Sequence, residues 1–252
     1  MVRKLIINAD DFGMTEGVTK GIIASHADGV VTSTTLLMNA PFTEFDLEEA
    51  KKYPCLGVGI HLAATIGRPL IKGAKSFTDS EGNFLKLADY LRNDVEVDLE
   101  ELYVEWKAQI EHFIRLAQKL PTHIDSHHHV HTVSRHHNIV IQLAKEYDVP
   151  VRESEKILDT YEHATFMGDF YGADLTVATL TYELVKDIEI MEIMCHPAYL
   201  DQKTYETTSY HLPRMKEMEI LRSKELQTFI EQNGIHLITF ADLKKKTASD
   251  DR

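Results

Sequence analysis

Short apolar runs alternate with longer amphipathic stretches along almost the whole chain, and this alternation restricts the possible folds more than any other feature. The runs that predict strands are 4–9, 30–38, 56–62, 122–127, 149–153, 188–196 and 235–240. The helical pattern is clearest over 99–120, where apolar residues recur at spacings of three and four and Asp98 predicts the N-cap. The other predicted helices are 16–27, 43–52, 136–147, 178–186 and 216–232. Strands that alternate with helices indicate parallel β-α units.

The sequence therefore predicts an α/β fold, a single-domain (β/α) barrel-like architecture related to the TIM barrel with about seven mostly parallel strands. A length of 252 residues is ordinary for such a barrel, and no low-complexity linker divides the chain. We expect one domain over residues 1–243 and a flexible tail over 244–252. Two long irregular stretches, 67–84 and 198–213, are typical of loops that form active-site walls.

Charge and composition exclude several classes of partner. The formal net charge is −13, whereas nucleic acids and anionic membranes require a basic face. Cys55 and Cys195 are too few for a disulfide framework and fit a reducing compartment. No signal peptide or membrane-spanning run is evident, so we expect a cytoplasmic protein. If it assembles, a homodimer is the expected form, because twofold dimers are the commonest soluble oligomers.

Carboxylates and imidazoles stand near the ends of four predicted strands. They are Asp10 and Asp11 after the first strand, His61 in the third, Asp125 and His127 in the fourth, and His196 at the end of the sixth. The carboxyl ends of parallel barrel strands face one side of the molecule, where active sites are assembled from several strands. We therefore expect these side chains to converge.

A histidine cluster strengthens this expectation. Residues 125–131 read DSHHHVH, and seven of the fourteen histidines fall within fifteen positions, 123–137. An internal run of this kind indicates a metal site or a pH-sensitive surface. Asp and His form a normal ligand set for a hydrolytic divalent metal. His127 is the safest choice within the cluster, because it shares a side with His131 whether the segment is helical or extended.

The remaining polar residues allow two interpretations each. Asp11 could bind a metal while Asp10, pointing elsewhere, accepts a proton from water, or the pair could form a turn and a helix cap. Asp125 could orient a ligating imidazole. His196, followed by Pro197, could donate a proton to a leaving group or could be a packing histidine.

Five ordered motifs resemble those of the YdjC-like carbohydrate deacetylases, which include chito-oligosaccharide deacetylases. They are NADDFG (8–13), VTSTTLLMN (31–39), GIHL (59–62), THIDSHHHVH (122–131) and MCHPAY (194–199), and YHLPRMKEMEIL (210–221) resembles a later Arg/Glu-containing segment of the family. The resemblance implies a (β/α) barrel-like hydrolase that removes N-acetyl groups from small amino sugars. By motif, it assigns Asp11, His61 and His127 as metal ligands, Asp10 as general base and His196 as general acid.

The resemblance also implies one divalent metal ion, with magnesium the usual assignment, although zinc is chemically reasonable for an Asp/His set. Asp125, His131 and Arg214 are expected to support the ligands or to contact substrate. Tyr199, Tyr205 and Tyr210 could line a sugar groove with Arg214, or could simply pack a loop.

Two other functions fit the same residues. Barrels host many chemistries, so a metal-dependent amidohydrolase or phosphoesterase acting on another small substrate remains open. A non-enzymatic metal- or sugar-binding protein is the third reading, but it leaves Asp10 and His196 without a role. Release of acetate from di-N-acetylchitobiose with divalent ions present separates these hypotheses.

Overall fold

The computed structural model describes residues 1–41, 43–92, 94–153 and 160–246. Within these ranges a single sheet contains β1 (Lys4–Phe12), β2 (Ser33–Leu36), β3 (Gly57–Leu62), β4 (Ile124–Ser126), β5 (Thr165–Met167), β6 (Ile190–Cys195) and β7 (His236–Leu237). The strand order is β4-β3-β2-β1-β6-β5, with β7 paired to the start of β1. Every pairing between these strands is parallel. This curled parallel sheet confirms the predicted (β/α) barrel-like fold.

Helices follow most of the strands. They are α1 (Glu16–Ala27), α2 (Thr43–Lys51), α3 (Leu87–Tyr90), α4 (Leu99–Ala117), α5 (His137–Tyr147), α6 (Val177–Leu184), α7 (Gln202–Thr207), α8 (Leu212–Leu221) and α9 (Lys224–Gln232). The predicted cap of α4 is confirmed, because the Asp98 carboxylate accepts hydrogen bonds from the backbone N–H groups of Glu100 and Glu101. No helix in the described ranges has both the length and the apolar character that crossing a bilayer requires.

The structure differs from the sequence prediction at several elements. The run 149–153 is not a strand, since only Val151 forms an isolated parallel bridge, to Ile124. The strand β5 was not predicted, because it has three residues and its first is exposed, so it carries little apolar signal. The predicted helix 216–232 is two helices, because the Ser223 side chain caps a new helix by accepting from the Leu226 N–H.

The sheet is covered on both faces. Every residue of β2, β3 and β6 is buried, as expected for parallel strands enclosed by helices. Helix α1 lies directly against the segment that follows β6, since a Cβ added at Gly21 would be 2.3 Å from the Ala198 Cα. A glycine is therefore needed at position 21 for this close approach.

The two irregular stretches are anchored to helices. The buried Glu105 carboxylate of α4 accepts hydrogen bonds from the backbone N–H groups of Leu70 and Ile71, which fixes the 67–84 stretch. The 198–213 stretch includes α7, and its Asp201 carboxylate accepts a hydrogen bond from the Gly17 N–H of α1 at 2.7 Å. In the predicted tail, Lys245 bridges to Tyr161, whereas residues 247–252 lie outside the described ranges.

Candidate active site

A bulge at the end of β1 presents two adjacent carboxylates. The sequence places Asp10 and Asp11 after the first strand, but β1 continues to Phe12 and its register against β2 shifts between Ala9 and Phe12. Asp11 has a φ of +68°, in the left-handed region that Asp tolerates better than most residues. In a regular strand, consecutive side chains point to opposite faces. The bulge instead lets both carboxylates take part in one site, each with its own partners.

Asp11 meets two histidines from distant parts of the chain. Its Oδ1 atom lies 2.9 Å from His127 Nδ1 and 3.4 Å from His61 Nε2. One ligand atom from each of the three residues lies within 4.8 Å of the others. Asp11 and His61 are buried, and only 12% of the His127 side chain is exposed. The structure thus brings together the three residues that were predicted to be metal ligands.

The neighbouring strand fixes the orientation of His61. Residues His61 of β3 and Asp125 of β4 are register partners, and the His61 Nδ1 lies 2.7 Å from Asp125 Oδ1. The Thr35 hydroxyl of β2 donates to the other Asp125 oxygen at 3.0 Å. An imidazole whose Nδ1–H is held by a carboxylate offers Nε2 as a ligand atom, the arrangement that supports many histidine ligands of metals.

The donor set fits one divalent cation. Burial lowers the pKa of His61, but the Asp125 charge and the hydrogen bonds to Asp11 and Asp125 outweigh burial and raise the pKa to about 10. The site therefore attracts positive charge at the His61 ring. A cation held by Asp11, His61 and His127 would take the place of that proton, because ligating imidazole must be neutral. Two imidazoles and a carboxylate suit zinc and similar ions as well as a harder ion such as magnesium.

Asp10 has a different partner, a buried arginine. Arg152 is fully buried, and its Nη1 and Nη2 each donate to one Asp10 oxygen at 2.7 Å. Burial raises the pKa of Asp10, but the Arg152 charge and hydrogen bonds outweigh it and hold the pKa below its ordinary value. Asp10 is therefore an ionised, firmly oriented carboxylate next to the Asp11 cluster.

Arg152 pairs with three carboxylates. Besides Asp10, it lies 3.0 Å from Asp125 Oδ2 and donates from Nε to Glu192 Oε1 at 2.7 Å. Asp10, His61 and Asp125 also have atoms close enough to share an ion. However, the Arg152 guanidinium already supplies the positive charge at Asp10 and Asp125. The geometry therefore favours a single metal position, at Asp11.

His196 lines the same cavity. Burial, followed by the Arg214 charge, lowers its pKa to about 4, and its Nδ1 is buried without a hydrogen-bond partner in the described ranges. Its backbone N–H donates to the buried Glu217 carboxylate, which also accepts from the Tyr210 hydroxyl. Burial raises the pKa of Glu217 to about 8. His196 is thus held by its backbone while its ring faces the cavity.

The other histidines of the cluster have separate roles. Residues 127–132 form an irregular 3₁₀ segment, neither of the two regular geometries expected, and His128 and His129 have φ values of +55° and +54°. Both line the cavity. His131 is fully buried, and its Nδ1 lies 2.6 Å from the Ser126 hydroxyl. It therefore supports the segment from behind rather than facing the cavity.

The cavity that joins these residues has a volume of about 540 Å³. It is lined by Asp10, Asp11, His61, His127, His196 and Arg214, together with Thr65, Ile66, Lys86, Leu87, Met14, Met194, His128, His129, Tyr171, Tyr210 and residues 207–209. Arg214 donates to Asp11 Oδ2 at 2.5 Å. Of the tyrosines proposed for a sugar groove, Tyr210 lines this cavity and Tyr199 and Tyr205 do not.

Sequence reasoning missed four residues of the site: Arg152, Glu192, Glu217 and Tyr171. A signal for the first two was present, because each is a charged residue inside an apolar run, VPVRE or IMEIM. Charged residues are rarely buried unless they are paired. Each of these runs therefore pointed to a buried partner of opposite charge. Glu217 lies in the 210–221 segment that resembles an Arg/Glu-containing segment of the family, but no role was assigned to it, and nothing in the local sequence distinguished Tyr171 from surface residues.

Comparison with known proteins identifies relatives along nearly the whole chain. A family model described as YdjC-like protein matches residues 4–232. A carbohydrate deacetylase of Clostridium beijerinckii is 41% identical over 248 residues, which are 95% of this chain and 100% of the relative. A carbohydrate deacetylase of Brevibacillus brevis is 43% identical over 250 residues, which are 95% and 99% of the two chains.

A solved structure shares both fold and sequence with this chain. It is a protein of Enterococcus faecalis V583 described as a candidate cellobiose-phosphate cleavage protein. The TM-score is 0.85 and the sequence identity 35%, with 95% of this chain and 98% of the other covered. Fold and sequence similarity therefore extend over the same residues.

Proposed function

The chain belongs to the YdjC-like family, and from this membership and the geometry of the site we propose that it is a metal-dependent carbohydrate deacetylase. Its substrates are small N-acetylated amino sugars, in the class of chito-oligosaccharides such as di-N-acetylchitobiose, and its products are acetate and the free amine. One observation carries the proposal. The adjacent carboxylates Asp10 and Asp11 have separate partners, and both face a cavity that also contains His196.

Asp10 acts as the general base. A new bond forms between a water oxygen and the acetyl carbon, and the proton of that water passes to Asp10. The two hydrogen bonds from Arg152 keep this carboxylate ionised and fixed in direction. A positioned base of this kind contributes about 10²–10⁴-fold to a rate.

Asp11, His61 and His127 would hold the metal. A divalent ion bound there would polarise the acetyl carbonyl and lower the pKa of water. Asp125 keeps the His61 ring in the orientation and tautomer that leave Nε2 free. Arg214, which donates to Asp11 Oδ2, keeps the second oxygen of that carboxylate in place. Magnesium is the expected ion, and zinc suits the two imidazoles equally well.

His196 delivers a proton to the nitrogen as the carbon–nitrogen bond breaks. With a pKa of about 4, only about one ring in a thousand is protonated at pH 7 in the resting site. The role therefore requires the pKa to rise during turnover. Negative charge on the reacting acetyl group would do this, because a nearby anion favours the charged imidazolium.

A hydrolase of another bond is the alternative. The Enterococcus faecalis relative is described as a candidate cellobiose-phosphate cleavage protein, so cleavage of a phosphorylated disaccharide is tested in parallel. A two-metal amidohydrolase or phosphoesterase is disfavoured, because the Arg152 guanidinium stands between the carboxylates that would bind a second ion. Acetate, phosphate and reducing sugar released from matched disaccharides separate these activities.

The decisive experiment compares two neighbouring substitutions. Asp10→Asn is expected to bind divalent ions as the unaltered protein does and to lose acetate release from di-N-acetylchitobiose by about 10²–10⁴-fold. Asp11→Asn is expected to lose divalent binding as well as turnover. Metal titration and acetate release are measured on both variants after their folding has been checked. Wild-type turnover by Asp10→Asn would remove the base assignment.

A further inference from the structure

Two tyrosines form a stacked pair at one wall of the cavity. The ring centroids of Tyr171 and Tyr210 lie 3.9 Å apart, and the ring planes differ by 8°. Tyr171 comes from the segment between β5 and α6 and is 53% exposed. Tyr210 comes from the segment between α7 and α8. Both residues line the cavity that contains Asp10 and Asp11.

The pair is held in place before any ligand binds. The Tyr210 hydroxyl donates to the buried Glu217 carboxylate and accepts a hydrogen bond from the Gly172 N–H at 2.8 Å. These contacts fix one ring and also fix the backbone next to Tyr171. Since Glu217 also accepts from the His196 backbone N–H, the tyrosine pair and His196 share one support. Tyrosine offers a large, stiff contact surface at low cost in conformational entropy.

The pair also lies beside the proposed chemistry. The Tyr171 and Tyr210 rings each lie 5.7 Å from the His196 ring, in edge-on geometry. A group that donates a proton to the leaving nitrogen must be within hydrogen-bond reach of that nitrogen. In an N-acetylated amino sugar, the nitrogen is attached directly to the pyranose ring. The pyranose ring that carries the reacting group must therefore lie close to these tyrosines.

We propose that the Tyr171 ring, backed by the stacked Tyr210 ring, is an aromatic platform whose outer face binds the pyranose ring carrying the reacting N-acetyl group, with Tyr171 as the specificity-determining residue. This inference rests on the proposed deacetylase function. One face of a pyranose presents C–H groups, and the negative face of an aromatic ring attracts such weakly positive hydrogens. The cavity volume of about 540 Å³ is within the range of about 300–1,000 Å³ that accepts ligands of disaccharide size.

The test replaces the exposed ring. Tyr171→Ala is expected to raise KM for di-N-acetylchitobiose roughly tenfold, equivalent to about 1.4 kcal/mol. Its kcat should stay within about twofold, because the lost contact is made equally in the ground and transition states. Tyr171→Phe keeps the ring and should behave as the unaltered protein. Tyr182→Ala is the matched control, since Tyr182 is 68% exposed and does not line this cavity.

A second probe separates sugar binding from simple loop packing. For N-(2-hydroxyethyl)acetamide, which carries an N-acetyl group but no sugar ring, Tyr171→Ala should not produce the tenfold rise in KM that is expected for the sugar. If Tyr171 only packs two loops together, the variant will instead lose kcat on both substrates, or will keep wild-type KM on the sugar. Either result overturns the platform.

Failure of the platform can be distinguished from failure of the proposed function. If the unaltered protein releases no acetate from N-acetylated sugars, the deacetylase assignment is wrong. Calorimetric titration of di-N-acetylchitobiose into the unaltered protein and into Tyr171→Ala then decides the platform by itself. A roughly tenfold weaker Kd in the variant supports it, and equal affinity, or no binding to either protein, overturns it.

Discussion

Replacing Arg152 with methionine tests the central charge arrangement of the site. The side chain is fully buried and bonds to Asp10, Asp125 and Glu192 at 2.7–3.0 Å. Methionine occupies a similar volume but carries no charge, so the carboxylates lose their shared cation. Like charges at close range, out of water, cannot all stay ionised. We therefore expect one of them to take up a proton in the folded protein at neutral pH.

The loss in free energy of unfolding follows from the burial of Arg152 and its partners. Removing one partner of a buried ion pair typically costs about 3–5 kcal/mol, because the remaining charge is buried without compensation. For a chain of this size, that loss corresponds to a fall in Tm of about 6–20 °C. Arg222→Met is the matched control, since Arg222 pairs with Asp28 at 3.0 Å but its side chain is 32% exposed. A pair of this kind is typically worth about 0.2–1 kcal/mol.

The loss of stability in Arg152→Met should depend on pH. In the unaltered protein the pKa of Asp10 lies below its ordinary value, so this group stabilises the fold above the unfolded pKa of 3.8 and ceases to do so as the pH falls through the folded pKa. Without Arg152 the folded pKa rises above 3.8, and the same group destabilises the fold as the pH rises. The deficit in Tm should therefore be larger at pH 7 than at pH 5. A deficit no larger than that of Arg222→Met, or one that does not change with pH, would refute the reasoning.

Three further outcomes are expected. Treatment with EDTA should lower Tm, and added divalent ion should restore it. At an ion concentration of a hundred times Kd, the free energy of unfolding should rise by about 2.7 kcal/mol. An unchanged Tm would contradict ion binding by Asp11, His61 and His127. Because the folded pKa of Glu217 is about 8, stability should fall as the pH rises between 4.5 and 8, and Glu217→Gln should show a flatter Tm profile over that window; identical profiles would contradict this. Gly21→Val should cost about 1–3 kcal/mol and reduce acetate release by displacing the segment before Ala198, whereas a matched change at Ala24 should not.

The architecture was predictable because its signals are local. Buried parallel strands are continuous apolar runs, and amphipathic helices repeat every three or four residues, so β1, β3, β6, α1 and α4 all follow from the sequence. The errors fall where the local signal is weak or ambiguous. The three-residue strand β5 has too few apolar residues to be recognised, and the break at Ser223 is concealed because the apolar pattern continues from α8 into α9.

The sequence by itself determined which polar residues would meet. Parallel strands bring their carboxyl ends to one edge, so Asp11, His61 and His127 converge once the strands are recognised, although 116 positions separate Asp11 from His127. Their assigned roles remain predictions, since the geometry is compatible with them without testing them.

Only the tertiary structure decided how charge is distributed among these residues. The sequence contains Asp10 and Asp11 side by side, and nothing local distinguishes them. The β1 bulge directs Asp10 to Arg152 and Asp11 to the histidines, and Arg152 comes from a segment that pairs with the sheet only through Val151. Such pairings depend on which side chains lie close together in space, because electrostatic energy in a buried site varies with distance and solvent exclusion rather than with separation along the chain.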